Sequence, residues 1–161
     1  MKDSYLSREE LVKFIATLPT RRLAAGAVIR NEHGELLLVQ PNYKDGWILP
    51  GGTVEAGEAP KPGCFREVEE ELGLRLAPGR LLLVFHGLAG GVWGDSTYYM
   101  YDAGVIAKNT PVTLQTEELI TYEWVAPEQL REYVNPGFAE RLHDCLRALR
   151  TGEVVEMSSD E

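Results

Sequence analysis

The sequence lacks any apolar run that approaches the roughly 20 residues needed to cross a lipid bilayer. Its longest runs, such as residues 81–85, are far shorter, which predicts a protein without a transmembrane helix. Residues 1–10 are polar and do not follow the basic and then apolar order of a secretory signal peptide. We therefore expect a cytoplasmic protein that does not associate with membranes.

Cysteine and positive charge are also scarce. Cys64 and Cys145 are the two cysteines of the chain, and their spacing forms neither a disulfide framework nor a paired metal motif. Both lie in helical apolar patterns, so we expect buried thiols. The formal net charge of −9 would repel the phosphates of a polynucleotide over most of the surface. No nucleic acid polymer is expected as a partner, and a small anionic substrate would need a metal.

The remaining composition is that of one globular domain. The 161 residues are 44% hydrophobic and 25% charged, which suits a single core and argues against disorder or a fibrous role. We divide the chain into an N-terminal helical extension over residues 1–22, a single domain over residues 23–150, and an acidic, mobile tail over residues 151–161.

The order of the predicted elements favours a mixed sheet with helices on its faces, which is the α+β class. Residues 31–34 suit a turn between antiparallel strands, and the paired glycines after Pro50 suit a tight loop that follows a strand. Periodicity and turn signals place the other elements. Predicted helices cover residues 7–18, 59–72, 126–134 and 138–149, predicted strands cover residues 23–30, 35–40, 47–49, 80–88, 96–108 and 119–125, and residues 87–95 form a glycine-rich loop.

Three glutamates share one strip of the helix predicted over residues 59–72. Glu67, Glu70 and Glu71 stand at positions i, i+3 and i+4, away from the apolar stripe of the helix. Like charges at this spacing destabilise a helix. A solvated acidic face is the ordinary explanation of such a run. The other explanation is a hard divalent cation, Mg²⁺ or Mn²⁺, held by oxygen ligands together with a phosphorylated substrate.

The spacing around these glutamates favours the metal. Gly52 is followed after five residues by Glu58, and after seven more by the run REVEEELGL at residues 66–74. This stretch resembles the motif of the Nudix hydrolases, G-x5-E-x7-R-E-U-x-E-E-x-G-U with U aliphatic, and it fills every fixed position. A looser resemblance extends from about residue 23 to residue 130. The resemblance implies an α/β/α sandwich around a mixed sheet, and hydrolysis of a nucleoside diphosphate that is linked to another moiety.

The resemblance also implies roles for individual residues. The implied metal ligands are Glu67, Glu70, Glu71 and the carbonyl of Gly52. Arg66 and Glu58 form an ion-paired brace that fixes the loop and the helix, and with Glu70 they count among the catalytic residues. Water is the nucleophile, and the metal neutralises charge on the pyrophosphate and lowers the pKa of the bound water.

An additional acid is expected from outside the helix. In several members of the family, a glutamate shortly before a tryptophan-containing strand supplies a base or a further ligand. Glu118, six residues before Trp124, is our choice for this catalytic role. Its neighbour Glu117 remains the alternative, since a strand or bend would point only one of the two inward. Both could also be exposed loop acids.

The residues that select the substrate give weaker signals. Tyr43, Trp47 and Trp93 could stack a base, although lone aromatic residues also serve as core or loop anchors. Lys44 could bind phosphate, and Arg30 is a second candidate for that role. Lys44 could equally lie in a solvated turn beside an aspartate.

Two classes of function fit this pattern. The first is an enzyme that hydrolyses the pyrophosphate linkage of a nucleotide or nucleoside diphosphate derivative. The second is a catalytically silent ligand sensor or protein-interaction module with the same fold. The intact set of mutually repelling carboxylates favours the enzyme. The apolar face of the leading helix suggests a homodimer.

Overall fold

The computed structural model describes residues 5–88 and 91–159. The predicted extension, glycine-rich loop and tail also include residues 1–4, 89–90 and 160–161, which lie outside the described residues. Two short 3₁₀ turns, Gly91–Trp93 and Pro127–Gln129, accompany the main elements. The main elements are α1 (Arg8–Ile15), β1 (Arg22–Arg30), β2 (Leu36–Pro41), β3 (Gly51–Thr53), α2 (Pro60–Leu72), β4 (Leu81–Gly87), β5 (Ser96–Val105), β6 (Leu119–Val125), α3 (Leu130–Tyr133), α4 (Pro136–Thr151) and β7 (Val155–Ser158).

The strands form one mixed sheet. Its order is β6-β2-β1-β5-β4-β7, and β3 pairs with β1 beside this path. The pairs β1–β5 and β4–β7 are parallel, and the other pairs are antiparallel. The predicted turn over residues 31–34 joins β1 to β2, with Arg30 opposite Leu36. The α+β class predicted from the sequence is confirmed.

Apolar side chains cover both faces of this sheet. On one face, α2 packs Phe65, Val68 and Leu72 into a cluster with Ile29 of β1. On the other face, α4 packs Leu142 into a second cluster with residues of β2, β4 and β5. Two helical layers therefore enclose the sheet, which confirms the predicted α/β/α sandwich.

Helix α1 lies outside both clusters. It begins with the predicted capping box, in which the Ser7 amide donates to the Glu10 carboxylate at 2.8 Å and the Glu10 amide donates to the Ser7 hydroxyl at 3.2 Å. None of its residues is buried, and the apolar side chains of Leu11, Phe14 and Ile15 are exposed. None of the described helices is long and apolar enough to cross a membrane.

Strand β7 shows that the prediction of a mobile tail over residues 151–161 is wrong for Val155–Ser158. This strand pairs in parallel with β4, and the Ser159 amide donates to the carbonyl of His86 at 3.0 Å. Val155 and Met157 alternate along the strand and pack against the core, and the residue between them is polar. The acidic composition of the segment concealed this two-residue apolar period.

Candidate active site

Helix α2 carries the acidic strip. Pro60 and Pro62 stand in its first turn, where the missing amide hydrogens would have had no partner within the helix. The helix ends at Gly73, whose φ of 66° is left-handed and favours glycine. Because the apolar face of α2 packs on the sheet, Glu67 and Glu71 face the cleft beside it, and Glu70 is exposed.

The paired glycines before α2 hold the backbone against this strip. The Gly51 amide donates to the Glu71 carboxylate at 3.2 Å. Gly51 has a φ of 147°, and a β-carbon there would lie 2.0 Å from the carbonyl oxygen of Ala25 in β1. A β-carbon at Gly52 would lie 2.9 Å from the carboxyl carbon of Glu67. Only glycine allows the loop to lie this close to both β1 and the acidic strip.

Arg66 and Glu58 form the predicted brace. The Arg66 Nε and Nη2 atoms donate to the two Glu58 oxygens at 2.7 and 3.0 Å, which is a bidentate ion pair. The hydrogen bonds from Arg66 lower the pKa of Glu58 to about 2, and the same pairing raises the pKa of Arg66. Arg66 Nη1 also lies 3.3 Å from Glu67 and 3.1 Å from Glu70. One guanidinium thus holds the loop residue and two members of the strip.

Burial and mutual repulsion disfavour the charged forms of the inner glutamates. Glu71 is only 3% exposed, and burial raises its pKa to about 8, with further contributions from Glu67 and Glu118. Burial also raises the pKa of Glu67, and the neighbouring charges of Glu70 and Glu118 act in the same direction. A cation placed among these carboxylates would relieve both effects.

Glu118 joins the site from the loop between β5 and β6. The Gln115 amide donates to the Glu71 carbonyl at 2.9 Å, and the amide of Glu118 donates to Gln115 at 3.2 Å. Asn42, which follows β2, fixes the other side of the loop. Its backbone N–H donates to the Glu118 carbonyl at 2.8 Å. The side chain of Glu118 therefore faces the cleft, and Glu117 is not among the residues that line it.

A cleft of about 580 Å³ lies between the acidic strip and the start of β1 and β5. Three of the four residues predicted to bind substrate line it, namely Tyr43, Lys44 and Trp93. Arg22 also lines the cleft, although the sequence did not predict it, and its guanidinium donates to the Trp93 carbonyl. Residues 23–29 of β1 are apolar without alternation, so nothing in the sequence indicated that Arg22 faces a cleft or that this strand end meets Trp93.

The fourth of these residues, Trp47, and the additional candidate Arg30 lie elsewhere. Trp47 lines a neighbouring chamber and makes an edge-on contact with Tyr133, with ring centroids 5.4 Å apart. It is not among the residues that line the cleft. Arg30, the second candidate for phosphate binding, pairs with Asp102 at 3.3 Å and also lies outside the cleft. The sequence predicted a substrate-binding role for Trp47 but did not indicate which cavity it lines.

A family model for the NUDIX domain matches residues 20–147, which span most of the chain and include every element of the site. The chain belongs to the Nudix family. It is 28% identical to a MutT-like protein of Streptomyces ambofaciens over 131 residues, covering 80% of this chain and 79% of that protein. It is 33% identical to Nudix hydrolase 5 of Arabidopsis thaliana, covering 76% of this chain but only 42% of that longer protein.

A solved structure agrees with these sequence relatives. The crystal structure of a MutT protein from Methanosarcina mazei superimposes on this Nudix chain with a TM-score of 0.70 and 28% identity, covering 84% of this chain and all of that one. This membership assigns the chain to the Nudix pyrophosphohydrolases, enzymes that hydrolyse phosphoanhydrides.

Nudix enzymes generally use divalent metal ions, and the donors present here fit such an ion. The cleft offers carboxylate oxygens from Glu67, Glu71 and Glu118, and the first two have pKa values that a cation would lower. Over residues 5–88 and 91–159, no three acidic, histidine or cysteine side chains already converge at metal-binding distance. The contacts of Arg66 with Glu67 and Glu70 are consistent with this, since they direct both carboxylates toward the guanidinium.

Proposed function

We propose that this Nudix enzyme hydrolyses the pyrophosphate linkage of a nucleotide or nucleoside diphosphate derivative, with a divalent metal ion and with water as the nucleophile. One observation carries the proposal: three carboxylates from two separate segments, Glu67, Glu71 and Glu118, line one cleft, and burial together with neighbouring negative charges raises the pKa of Glu67 and Glu71. A solvated acidic surface would not bury Glu71 to this degree. A divalent metal ion would supply positive charge among these carboxylates, and the same ion can bind the oxygens of an anionic pyrophosphate.

In this proposal, the residues that would hold Mg²⁺ or Mn²⁺ are Glu67, Glu70, Glu71 and the carbonyl of Gly52. The chemistry gained from the bound ion is neutralisation of charge on the diphosphate and a lower pKa of water. Glu70 lies at the exposed end of this set, where Arg66 contacts its carboxylate.

The protein's own groups have separate tasks. Glu118 accepts a proton from the attacking water, since it enters the cleft from outside the helix. Arg66 and Glu58 position the strip relative to the loop. Lys44 and Arg22, which also line the cleft, provide positive charge for phosphate oxygens.

Aromatic side chains would hold the rest of the substrate. Tyr43 and Trp93 line the cleft and are 63% and 67% exposed, which leaves their ring faces open to a planar group. Trp47 is predicted to bind substrate as well, from the neighbouring chamber. Replacement of Trp93 by Ala should raise KM more than it lowers kcat if the ring acts by stacking.

Glu118→Gln and its neighbour Glu117→Gln form a matched test of the proposed base. Phosphate and pyrophosphate release are measured for both variants on a panel of nucleotides, with Mg²⁺, with Mn²⁺ and with a chelator. We expect Glu118→Gln to lower kcat by about 100-fold or more, as general base removal commonly does, and Glu117→Gln to leave it unchanged. An equal rate for both variants would reject Glu118 as the base.

The same panel separates the enzyme from a ligand sensor. Turnover that requires Mg²⁺ or Mn²⁺ supports the hydrolase. Tight binding of a nucleotide without turnover under any metal condition would replace the hydrolase with a sensor. Calorimetry that detects no metal uptake, with or without nucleotide, would reject the metal site.

The state of assembly and the location of the protein are further parts of the proposal. A homodimer is supported by the exposed apolar face of α1, which includes Leu11, Phe14 and Ile15. Light scattering after size-exclusion chromatography should give a dimer mass, and Phe14→Glu should give a monomer. A dimer that persists in Phe14→Glu would exclude α1 as the interface. The cytoplasmic location and the domain boundaries at residues 22 and 150 remain predictions.

A further inference from the structure

A second chamber of about 550 Å³ adjoins the cleft. The two spaces are adjacent, since four residues line both of them: Lys44, Ile48, Ser96 and Tyr98. The acidic strip belongs only to the first space, and the start of α4 belongs only to the second. A substrate held at its diphosphate in the cleft could therefore extend into the chamber.

Arg141 is the unusual residue of this chamber. Asn135, Phe138 and Arg141 recur every three residues at the start of α4 and line the same wall. The Arg141 guanidinium lies 3.9 Å from the centroid of the Phe85 ring and 5.5 Å from that of Phe138. Its Nε atom is buried and has no hydrogen-bond partner among the described residues.

Half-buried arginines elsewhere in the structure have acceptors for their guanidinium groups. Arg30 pairs with Asp102, Arg66 pairs with Glu58, and Arg80 donates to the carbonyls of Ala148 and Glu153. The Nε atom of Arg30 is also buried without a partner, but its guanidinium contacts the Asp102 carboxylate.

Arg141 has no ion pair within the described ranges, although the chain carries a net charge of −9. Contacts with aromatic rings stabilise a cation but do not satisfy an N–H donor. A buried donor without an acceptor is costly, and a ligand that supplies the acceptor removes the cost.

The two spaces differ in their balance of charge. Glu67, Glu71 and Glu118 line the cleft together with Arg22 and Lys44, whereas Lys44 and Arg141 line the chamber with Asp45 as its acidic residue. Burial lowers the pKa of Arg141, which shows that its charge is poorly solvated in the absence of a ligand. An oxyanion is the group that such a chamber would bind best, because it pairs with a guanidinium by charge and by hydrogen bonds.

We propose that the chamber at Arg141 binds an oxyanion, either a phosphate ester or a carboxylate, on the part of the substrate remote from the scissile diphosphate. This inference rests on the proposed function and narrows it. The preferred substrates are nucleoside diphosphate derivatives that carry one further negative charge. Arg141 then acts as a specificity-determining residue.

Two pairs of substrates test the proposal and distinguish the sources of the charge. UDP-glucuronate and UDP-glucose differ by a carboxylate, and 2′-phospho-ADP-ribose and ADP-ribose differ by a phosphate ester. We expect kcat/KM of the wild type to favour the charged member of at least one pair by about 10- to 100-fold, the value of one charge-assisted contact. Arg141→Gln should abolish the preference by lowering kcat/KM for the member of each pair that carries the additional charge.

Arg150→Gln is the matched control, since Arg150 is an exposed residue near the end of the same helix. It should keep the preference. If Arg141→Gln does not fold, as judged by its melting temperature, Arg141→Lys replaces it, because the lysine retains the charge and most of the apolar contact. Arg141→Lys should reduce the preference without removing it, since its ammonium cannot form the paired hydrogen bonds of a guanidinium.

A binding measurement makes the proposal independent of turnover. Adenosine 2′,5′-bisphosphate and AMP contain no pyrophosphate, and their affinities for the wild type and for Arg141→Gln are measured by calorimetry. We expect tighter binding of the bisphosphate in the wild type alone. Equal hydrolysis within both substrate pairs, or preferences that survive in Arg141→Gln, would overturn the inference while leaving the hydrolase intact. Absence of all hydrolysis would overturn the proposed function, and the calorimetry would then decide the inference.

Discussion

Replacement of Gly51 by Ala tests whether the close approach of the loop to β1 supports the site. A methyl group at Gly51 would lie 2.0 Å from the Ala25 carbonyl oxygen and 2.8 Å from the Cα atom of Gly26. Both contacts are with backbone atoms, so no side-chain rotation can relieve them. The backbone of β3 must therefore move away from β1, and the hydrogen bond between the Gly51 amide and Glu71 must lengthen or break.

The loss of stability in Gly51→Ala has two parts, which a control variant can separate. Gly57 also has a positive φ, at 79°, but no atom lies within 4 Å of the position that its β-carbon would take. Gly57→Ala should thus lose about 1 kcal/mol, the backbone cost alone. Gly51→Ala adds an overpacking term of about 1–3 kcal/mol and the loss of the hydrogen bond to the Glu71 carboxyl group, and we expect about 4 kcal/mol in total.

Urea denaturation followed by circular dichroism measures both losses of unfolding free energy. In thermal denaturation of a chain of this size, the melting temperature should fall by about 8–16 °C in Gly51→Ala and by about 2–4 °C in Gly57→Ala. Equal losses for the two variants would refute the reasoning, because they would show that the conformation of the backbone, and not the contact with β1, sets the cost. Gly51→Ala should also lose activity, since its displaced backbone carries the Gly52 carbonyl.

Three other predictions follow from the described contacts. The pKa of Glu58 is lowered to about 2, so its pairing with Arg66 should stabilise the fold fully above pH 4.5, and this stabilisation should be lost as the pH falls toward 2. Glu58→Gln should therefore weaken the dependence of the melting temperature on pH between 4.5 and 2. Burial raises the pKa of the Cys64 and Cys145 thiols to about 12, so a thiol reagent at pH 8 should label neither in the folded protein and both in urea; rapid labelling of the folded protein would contradict their burial. Deletion of residues 153–161 removes β7 and should lower the melting temperature by several degrees, whereas an unchanged value would support the mobile tail that the sequence suggested.

The two ends of the chain show which features local sequence predicts and which depend on distant segments. The capping box of Ser7 and Glu10 is a local interaction, and it appears in the structure as the spacing predicted. The segment Val155–Ser158 is acidic and short, so local signals suggested a tail. Its pairing depends on β4, more than 65 residues away in the chain by the His86–Ser158 register, and a strand of four residues gives little periodicity of its own.

In the active site too, contacts between residues close in sequence were predictable and contacts between distant segments were not. The brace between Arg66 and Glu58 was predicted because the motif fixes both residues within a few turns of one helix and its leading loop. The choice between Glu117 and Glu118 remained open in the sequence because a bend can expose either of two neighbours. In the structure, the loop that carries Glu118 contacts the end of α2 and Asn42, and the side chain of Glu118 faces the cleft.

The sequence by itself determined the family, the acidic strip and the glycines that allow the loop to approach it, because these features depend on residues close together along the chain. Tertiary structure alone decided which side chains share a space: Arg22 with Trp93 in the cleft, and Trp47 with Arg141 in the chamber. These neighbours come from strands and helices that are distant in sequence, and only the packing of both helical layers on one sheet brings them together.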